Sequence, residues 1–226
     1  MSSYNLKRLL QPKSIALFGG LWIENVANQI KNSNFKGNVW PINPHRQSIA
    51  GYKCFQDISD LPGVPDTAFI GVNRTKTLEI LTKLNEVGCG GATCFAAGFS
   101  EVDKYGKQLQ KKLSKASKDM PFLGPNCYGY INYLDHIHMW PDQHGGKEVE
   151  KGVAIIAQSS NIAINLTMNT RSTPIAYVLT TGNQAKIDMS DLGLAMINDK
   201  RVTAIGIYIE GFKDCLLYTS PSPRDY

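Results

Sequence analysis

The residues of this 226-residue chain best suited to chemistry are those that could hold a phosphate. The stretch "SIALFGGLWIENVANQI", Ser14 to Ile30, reads as a strand, a double glycine (Gly19, Gly20) and a helix. A turn of that kind aims backbone N–H groups and the positive end of a helix dipole at whatever sits beyond the strand. A second stretch, "QSSN" at Gln158 to Asn161, also precedes a helical pattern. There Ser159, Ser160 and Asn161 offer hydroxyl and backbone donors to an anion, although Ser160 could equally serve as a plain helix cap.

Competing chemistries find less support. A dinucleotide fold needs G-x-G-x-x-G and an acid at the end of the second strand for the ribose. Here Gly19 and Gly20 are adjacent, Leu21 to Gln29 contain no glycine, and the second strand runs into "WPINPHR" with no acid. The G-x-S-x-G of a serine hydrolase is missing. Cys127 has no base that the sequence assigns to it, so it reads as a packing thiol. The cluster "HIHMWPDQH" holds His136, His138, His144 and Asp142 at irregular spacing, which reads as a loop with solvated histidines and no metal centre.

Composition narrows the partners. The net charge of +5 owes much to Lys104–Asp119, where helical spacing puts Tyr105, Leu109, Leu113 and Ala116 on one face and lysines on the others. That is the solvated face of an amphipathic helix, and no nucleic-acid partner is expected. Five cysteines form an odd set without C-x-x-C, which points to a reducing compartment. No apolar run reaches the ~18 residues of a membrane span. The expected location is cytoplasmic.

Elements that could position the phosphate turns follow the rhythm of parallel βαβ units. The sequence predicts strands at Ser14–Phe18, Asn38–Ile42, Thr67–Val72, Ala92–Ala96 and Phe122–Gly124, with helices at Glu24–Asn32, Thr75–Val87 and Lys104–Lys118. These make one doubly wound α/β domain, residues 1–131. Residues 132–152 are polar and Gly/Pro-bearing, and read as a linker. A second α/β domain, 153–214, then begins with strands Val153–Gln158, Ile175–Thr181 and Val202–Glu210 and helices at Asn161–Thr170 and Ser190–Asn198. Three strands are too few to close it, which leaves an open edge. Residues 215–226, "CLLYTSPSPRDY", change character abruptly to Ser, Pro and Arg and read as a non-native tail.

The strand ends carry a family resemblance. "FGGLW", "INPHR", "GVNR", "FAAGFSE" and "GPNCYGYIN", followed by "AQSSN", "TTGNQA" and "IYIEG", resemble in order and spacing the CoA-binding portion of NDP-forming acyl-CoA synthetases (ADP-forming acetate–CoA ligases) and the succinyl-CoA synthetase α subunit. The resemblance runs from Pro12 to Asp214. It implies a Rossmann-like CoA-binding domain followed by a truncated flavodoxin-like, succinyl-CoA ligase-like domain.

For the site, the resemblance implies that Gly19, Gly20, Asn43 and Pro44 line the CoA nucleotide, with Arg46 as a phosphate partner. Val72 and Asn73 lie where pantetheine passes, and the Asn73–Arg74 pair departs from the small apolar residues usual there. Gly98 and Glu101 lie on the next ligand loop. Asn126 and Cys127 stand where the thiol meets the phosphorylated group. Ser159, Ser160 and Asn161 face a phosphohistidine that Glu210 orients, and that histidine would follow Glu210 by several tens of residues; His45, His136, His138 and His144 do not stand in its place. The implied reaction joins an acid to CoA at the expense of a nucleoside triphosphate. ATP/ADP and Mg would come with an ATP-grasp domain or β subunit, downstream or in trans, so the fragment is expected to bind CoA and to be inactive alone. A stand-alone CoA-binding regulatory module is the alternative, and an NAD-dependent oxidoreductase a lesser one.

Overall fold

The first strand, β1 (Ser14–Gly19), is apolar on both faces: Ile15 and Leu17 enter one core, Ala16 and Phe18 another. A strand buried on both sides belongs in the middle of a parallel sheet. The computed structural model, which describes residues 4–170 and 172–211, places it there. β1 pairs in parallel with β2 (Asn38–Ile42) and β5 (Thr67–Gly71), and β6 (Ala92–Cys94) and β7 (Phe122–Leu123) continue the sheet in the order β2-β1-β5-β6-β7. The small ribbon β3 (Ser48–Ile49) with β4 (Tyr52–Lys53) interrupts the path from β2 to β5. Helices α2 (Leu21–Asn32), α3 (Arg74–Glu86) and α4 (Lys104–Ala116) make the crossovers, and a short α1 (Lys7–Leu10) precedes β1. Strand order reverses between β1 and β5, so their carboxyl ends diverge into a crevice of the kind that binds ligands.

The stretch expected to be a linker is in part a hairpin. β8 (Tyr130–Asn132) and β9 (Ile137–Met139) pair antiparallel, and β8 pairs antiparallel with β11 (Ile175–Thr180). With β10 (Gly152–Ala157) and β12 (Val202–Tyr208) they form a second sheet in the order β12-β10-β11-β8-β9, flanked by α5 (Ser160–Thr167) and α6 (Met189–Ile197). The physical reason is burial: Tyr130, Tyr133, Met139 and Trp140 are fully buried, which a linker would not achieve. The hairpin extends the second sheet beyond β11, and at the other edge β12 stays largely exposed, with Ile207 and Tyr208 open to solvent. Arg201, ahead of β12, holds the hairpin turn by a two-pronged contact to Asp135 at 2.7 and 3.0 Å. One continuous core runs from Leu17 and Ile23 through Tyr130 and Met139 to Ile156 and Leu179, joining the two sheets. Cys215 and the tail 215–226 lie outside the described residues.

The hairpin also buries ionisable groups. The His138 ring is 5% exposed, its Nε2 has no hydrogen-bond partner, and it lies 3.8 Å from Glu148 with the His144 ring at 4.7 Å. Burial, with His144 and His136 nearby, pulls its pKa down to about 3. A histidine whose folded-state pKa is depressed costs nothing above its unfolded value and destabilises the fold as pH falls below it, until the folded pKa is reached. Between about pH 7.5 and about pH 5 the fold is therefore expected to lose about 2 kcal/mol through His138 alone. Urea titrations at the two pH values check this, and His138→Phe should flatten the difference.

Candidate functional site

Three stretches far apart in sequence meet at the crevice: the turn after β1, the loop after β2 and the start of α3. They enclose a cleft of about 470 Å³ lined by Gly19, Gly20, Asn43, Pro44, Val72 and Asn73 among others. Gly19 is required by geometry. Its φ is +142°, and a Cβ there would stand 2.6 Å from the carbonyl oxygen of Gly71, its partner on β5. Gly20 is the N-cap of α2, contributes no side-chain cap, and has open space where a Cβ would be. Helix α2 starts at Leu21, three residues ahead of the expected Glu24, so the uncapped helix begins directly at Gly20, which lines the cleft. Asn43 pins the two loops together: its Nδ2 donates to the Gly19 carbonyl at 2.7 Å and its Oδ1 accepts from His45 N–H at 2.9 Å.

The basic residues around the cleft divide by what they touch. Arg46, expected at a phosphate, is turned to Glu24 on α2, with its two guanidinium nitrogens at 2.7 and 3.3 Å from the carboxylate. The same contact lowers the Glu24 pKa through its hydrogen bond to Arg46. Lys83, which lines the cleft, pairs with Asp57 at 3.0 Å. Lys76 also lines it, and nothing in the sequence marked it. Asp57 brings an acid to the cleft from a segment outside the second strand, but its carboxylate is taken by Lys83 and by Ser59 N–H.

The unusual "NR" of "GVNR" has a local explanation. Asn73 caps α3, its Oδ1 accepting from Lys76 N–H at 3.0 Å. Arg74 donates to the Gly98 carbonyl at 2.5 Å and lies over the Tyr105 ring at 5.1 Å. Gly98, with φ +96°, belongs to a loop tied by Glu101, whose carboxylate accepts from Gly98 N–H at 2.6 Å and Phe99 N–H at 3.1 Å. Asn183 donates to the same carboxylate at 2.5 Å. Burial pushes the Glu101 pKa up, and these hydrogen bonds outweigh it and hold the carboxyl below its usual range. Glu101 is thereby occupied within the protein, joining the first sheet's loops to the second's.

A second cluster forms at the carboxyl ends of β7, β10 and β11. Asn126, at φ +60°, donates its backbone N–H to the Ala96 carbonyl at 2.9 Å. The peptides of Gly124 and Pro125 accept from Ala185 and Asn183 N–H, both at 2.9 Å, so "GPNC" rests on "TTGNQA". Cys127 is fully buried, and burial pushes its thiol up to about 12, which fits a packing role.

On α5 the cap is Ser159, its Oγ accepting from Ile162 N–H at 3.5 Å; Ser160, the alternative cap in the sequence, begins the helix and accepts from Tyr128 N–H at 3.2 Å. Asn161 is exposed on the first turn. Gln158 donates to the Gly211 carbonyl at 2.7 Å and accepts from Gly211 N–H at 2.8 Å and from Glu210 N–H, which brings Glu210 to the same end of the sheet as Ser159 and Ser160.

Elsewhere the surface holds a hollow of about 580 Å³ between α1 and α6. It lies at the amino ends of the strands, away from both the glycine turn and the start of α5. Among the described residues no group of three or more His, Cys, Asp or Glu could hold a metal ion. His136 contacts the Ser33 carbonyl and His144 the Tyr133 hydroxyl, at 2.9 and 3.0 Å. Among the described residues no helix is long and apolar enough to cross a membrane.

Comparison with known proteins gives these positions a context. The CoA binding domain family matches residues 13–133, and the family described as succinyl-CoA ligase like flavodoxin domain matches 150–219. A trans-feruloyl-CoA synthase from an unknown prokaryotic organism is 28% identical over 94% of this chain and 32% of its own length. An ADP-forming acetate–CoA ligase of Methanocaldococcus jannaschii is 32% identical over 93% of this chain and 30% of its own. The solved apo structure of a dinucleotide forming acetyl-coenzyme A synthetase 1 from Ca. Korarchaeum cryptofilum superposes with a TM-score of 0.84 at 30% identity, covering 92% of this chain and 46% of that one. The chain thus spans about a third of the length of these curated relatives.

Proposed function

Because this chain belongs to the CoA-binding domain family, we propose that the cleft between β1, β2 and β5 takes the nucleotide end of CoA and that the chain serves an NDP-forming acyl-CoA synthetase. The observation that carries the reading is the pairing of an uncapped helix turn at Gly20 with Lys76 across one cleft at the strand-order reversal. The CoA phosphates would lie over Gly19 and Gly20, held by α2 backbone N–H groups and Lys76. Asn43 and Pro44 would border the adenosine, and Val72 and Asn73 the start of pantetheine. In this reading Arg46 contributes by releasing Glu24 when a phosphate approaches.

The thiol would end near Asn126, next to α5. Ser159, Ser160 and Asn161 would present the helix N-terminus to a phosphoryl group, and Glu210 would orient the histidine that carries it. These residues bind and position; positioning and charge stabilisation supply most of the acceleration in phosphoryl transfer. The acid, the nucleoside triphosphate and Mg would be engaged by an ATP-grasp domain or β subunit, joined to this chain or supplied in trans. That division agrees with the share of its relatives that the chain covers. Calorimetric titration of the folded chain with CoA and NADH tests the reading: CoA binds and NADH does not.

A further inference from the structure

Two large apolar side chains stand in an odd place, at the mouth of a phosphate turn. Leu21 is 71% exposed and Trp22 43%, both on the first turn of α2. Neither is among the buried residues of the core. The Trp22 ring lies 4.9 Å from Phe95 at 46°, Phe95 lies 5.6 Å from Tyr128 at 43°, and Tyr128 meets the buried Trp140 edge-on at 5.4 Å. Phe95 and Tyr128 are half-buried. This row of rings starts beside Gly20 and ends at the anion helix, because Tyr128 N–H is the donor to Ser160 Oγ.

The position of the row follows from sheet order. Phe95 follows β6, which lies between β5, whose end leads into Val72 and Asn73 of the nucleotide cleft, and β7, whose following loop carries Asn126. A ligand reaching from the cleft to Asn126 crosses the end of β6, and so crosses the rings. A two-carbon acyl group would touch little of the row, whereas a flat aromatic acyl group would cover ring faces and gain the offset or edge contacts that aromatic pairs favour.

We propose that Trp22, Phe95 and Tyr128 form a subsite for the acyl group of the thioester, and that the group it selects is aromatic. The proposal rests on the CoA reading above. The test uses titration calorimetry of the whole chain with three probes: CoA, acetyl-CoA and benzoyl-CoA. Benzoyl-CoA is expected to bind about fivefold more tightly than acetyl-CoA, an aromatic-contact increment. Trp22→Ala should collapse that ratio toward one and Trp22→Phe should keep most of it; Phe95→Leu gives an independent check at the next ring. Equal affinities for the two thioesters in a chain that binds CoA overturn the subsite and leave the CoA reading standing. A preference that survives both Trp22→Ala and Phe95→Leu also overturns it. Failure of the folded chain to bind any of the three defeats the CoA reading and the subsite together.

Discussion

Lys76→Glu is expected to weaken CoA binding by about 30-fold. Lys76 sits on the first turn of α3, whose first turn carries no acid. A base at the positive end of a helix is locally unfavourable. Arg74, its neighbour on that turn, has a use within the protein at the Gly98 carbonyl and the Tyr105 ring. Lys76 instead lines the cleft, where a phosphate would make its charge favourable. Reversal changes the charge facing the ligand by two units; across roughly 7 Å at an effective dielectric of about 50 that is about 2 kcal/mol, or about 30-fold in affinity.

The fold should not suffer from this change, since the Asn73 cap uses the backbone N–H of Lys76 and an acid suits a helix N-terminus. Calorimetric titration of the variant and of Lys76→Gln checks it. The neutral variant should lie between wild type and reversal, and added salt should shrink the differences. An affinity for CoA within twofold of wild type in Lys76→Glu would remove Lys76 from the site.

The largest structural effect is expected at Gly182. Its φ is +52°, and a Cβ there would stand 2.3 Å from the Pro125 carbonyl oxygen and 2.5 Å from that of Asn126. Both obstacles are backbone, so no side chain can swing aside to relieve the contact. Gly182→Ala must push the "TTGNQA" loop off "GPNC", straining the hydrogen bonds from Asn183 to Pro125 and from Ala185 to Gly124. The expected loss is about 3 kcal/mol, combining overpacking with the left-handed backbone of a non-glycine residue. For a chain of this size that lowers the melting temperature by about 8 °C. Thermal denaturation measures it, with Gly193→Ala as control, since a Cβ at Gly193 meets nothing within 4 Å. A melting temperature unchanged in Gly182→Ala would show that the two loops do not rest on each other.

Much of this was legible from the residues. Strands β1, β2 and β5 are continuous apolar runs ending in glycine or polar loops, and such runs announce a parallel core. The helix starts after β1 and β10 followed from a double glycine and a Ser-Ser pair ahead of helical patterns. The hairpin β8–β9 did not, because three-residue strands interleaved with histidine and asparagine carry too little periodicity; only the pairing of β8 with β11, more than 40 residues on, ties the hairpin into a sheet. Lys76 was one lysine among many until the crevice placed it beside Gly19 and Gly20. The tie between Glu101 and Asn183 joins residues 82 apart, and the Arg46–Glu24 pair crosses from a loop to a helix. Spacing along the chain holds no trace of either contact.

The central claim is that the crevice between β1, β2 and β5 is built for CoA. Titration calorimetry of the folded chain with CoA, dephospho-CoA and NADH tests it most directly. Saturable binding of CoA is expected, with weaker binding of dephospho-CoA because a phosphate is lost, and no heat of binding with NADH. Saturable NADH binding together with indifference to CoA would contradict it.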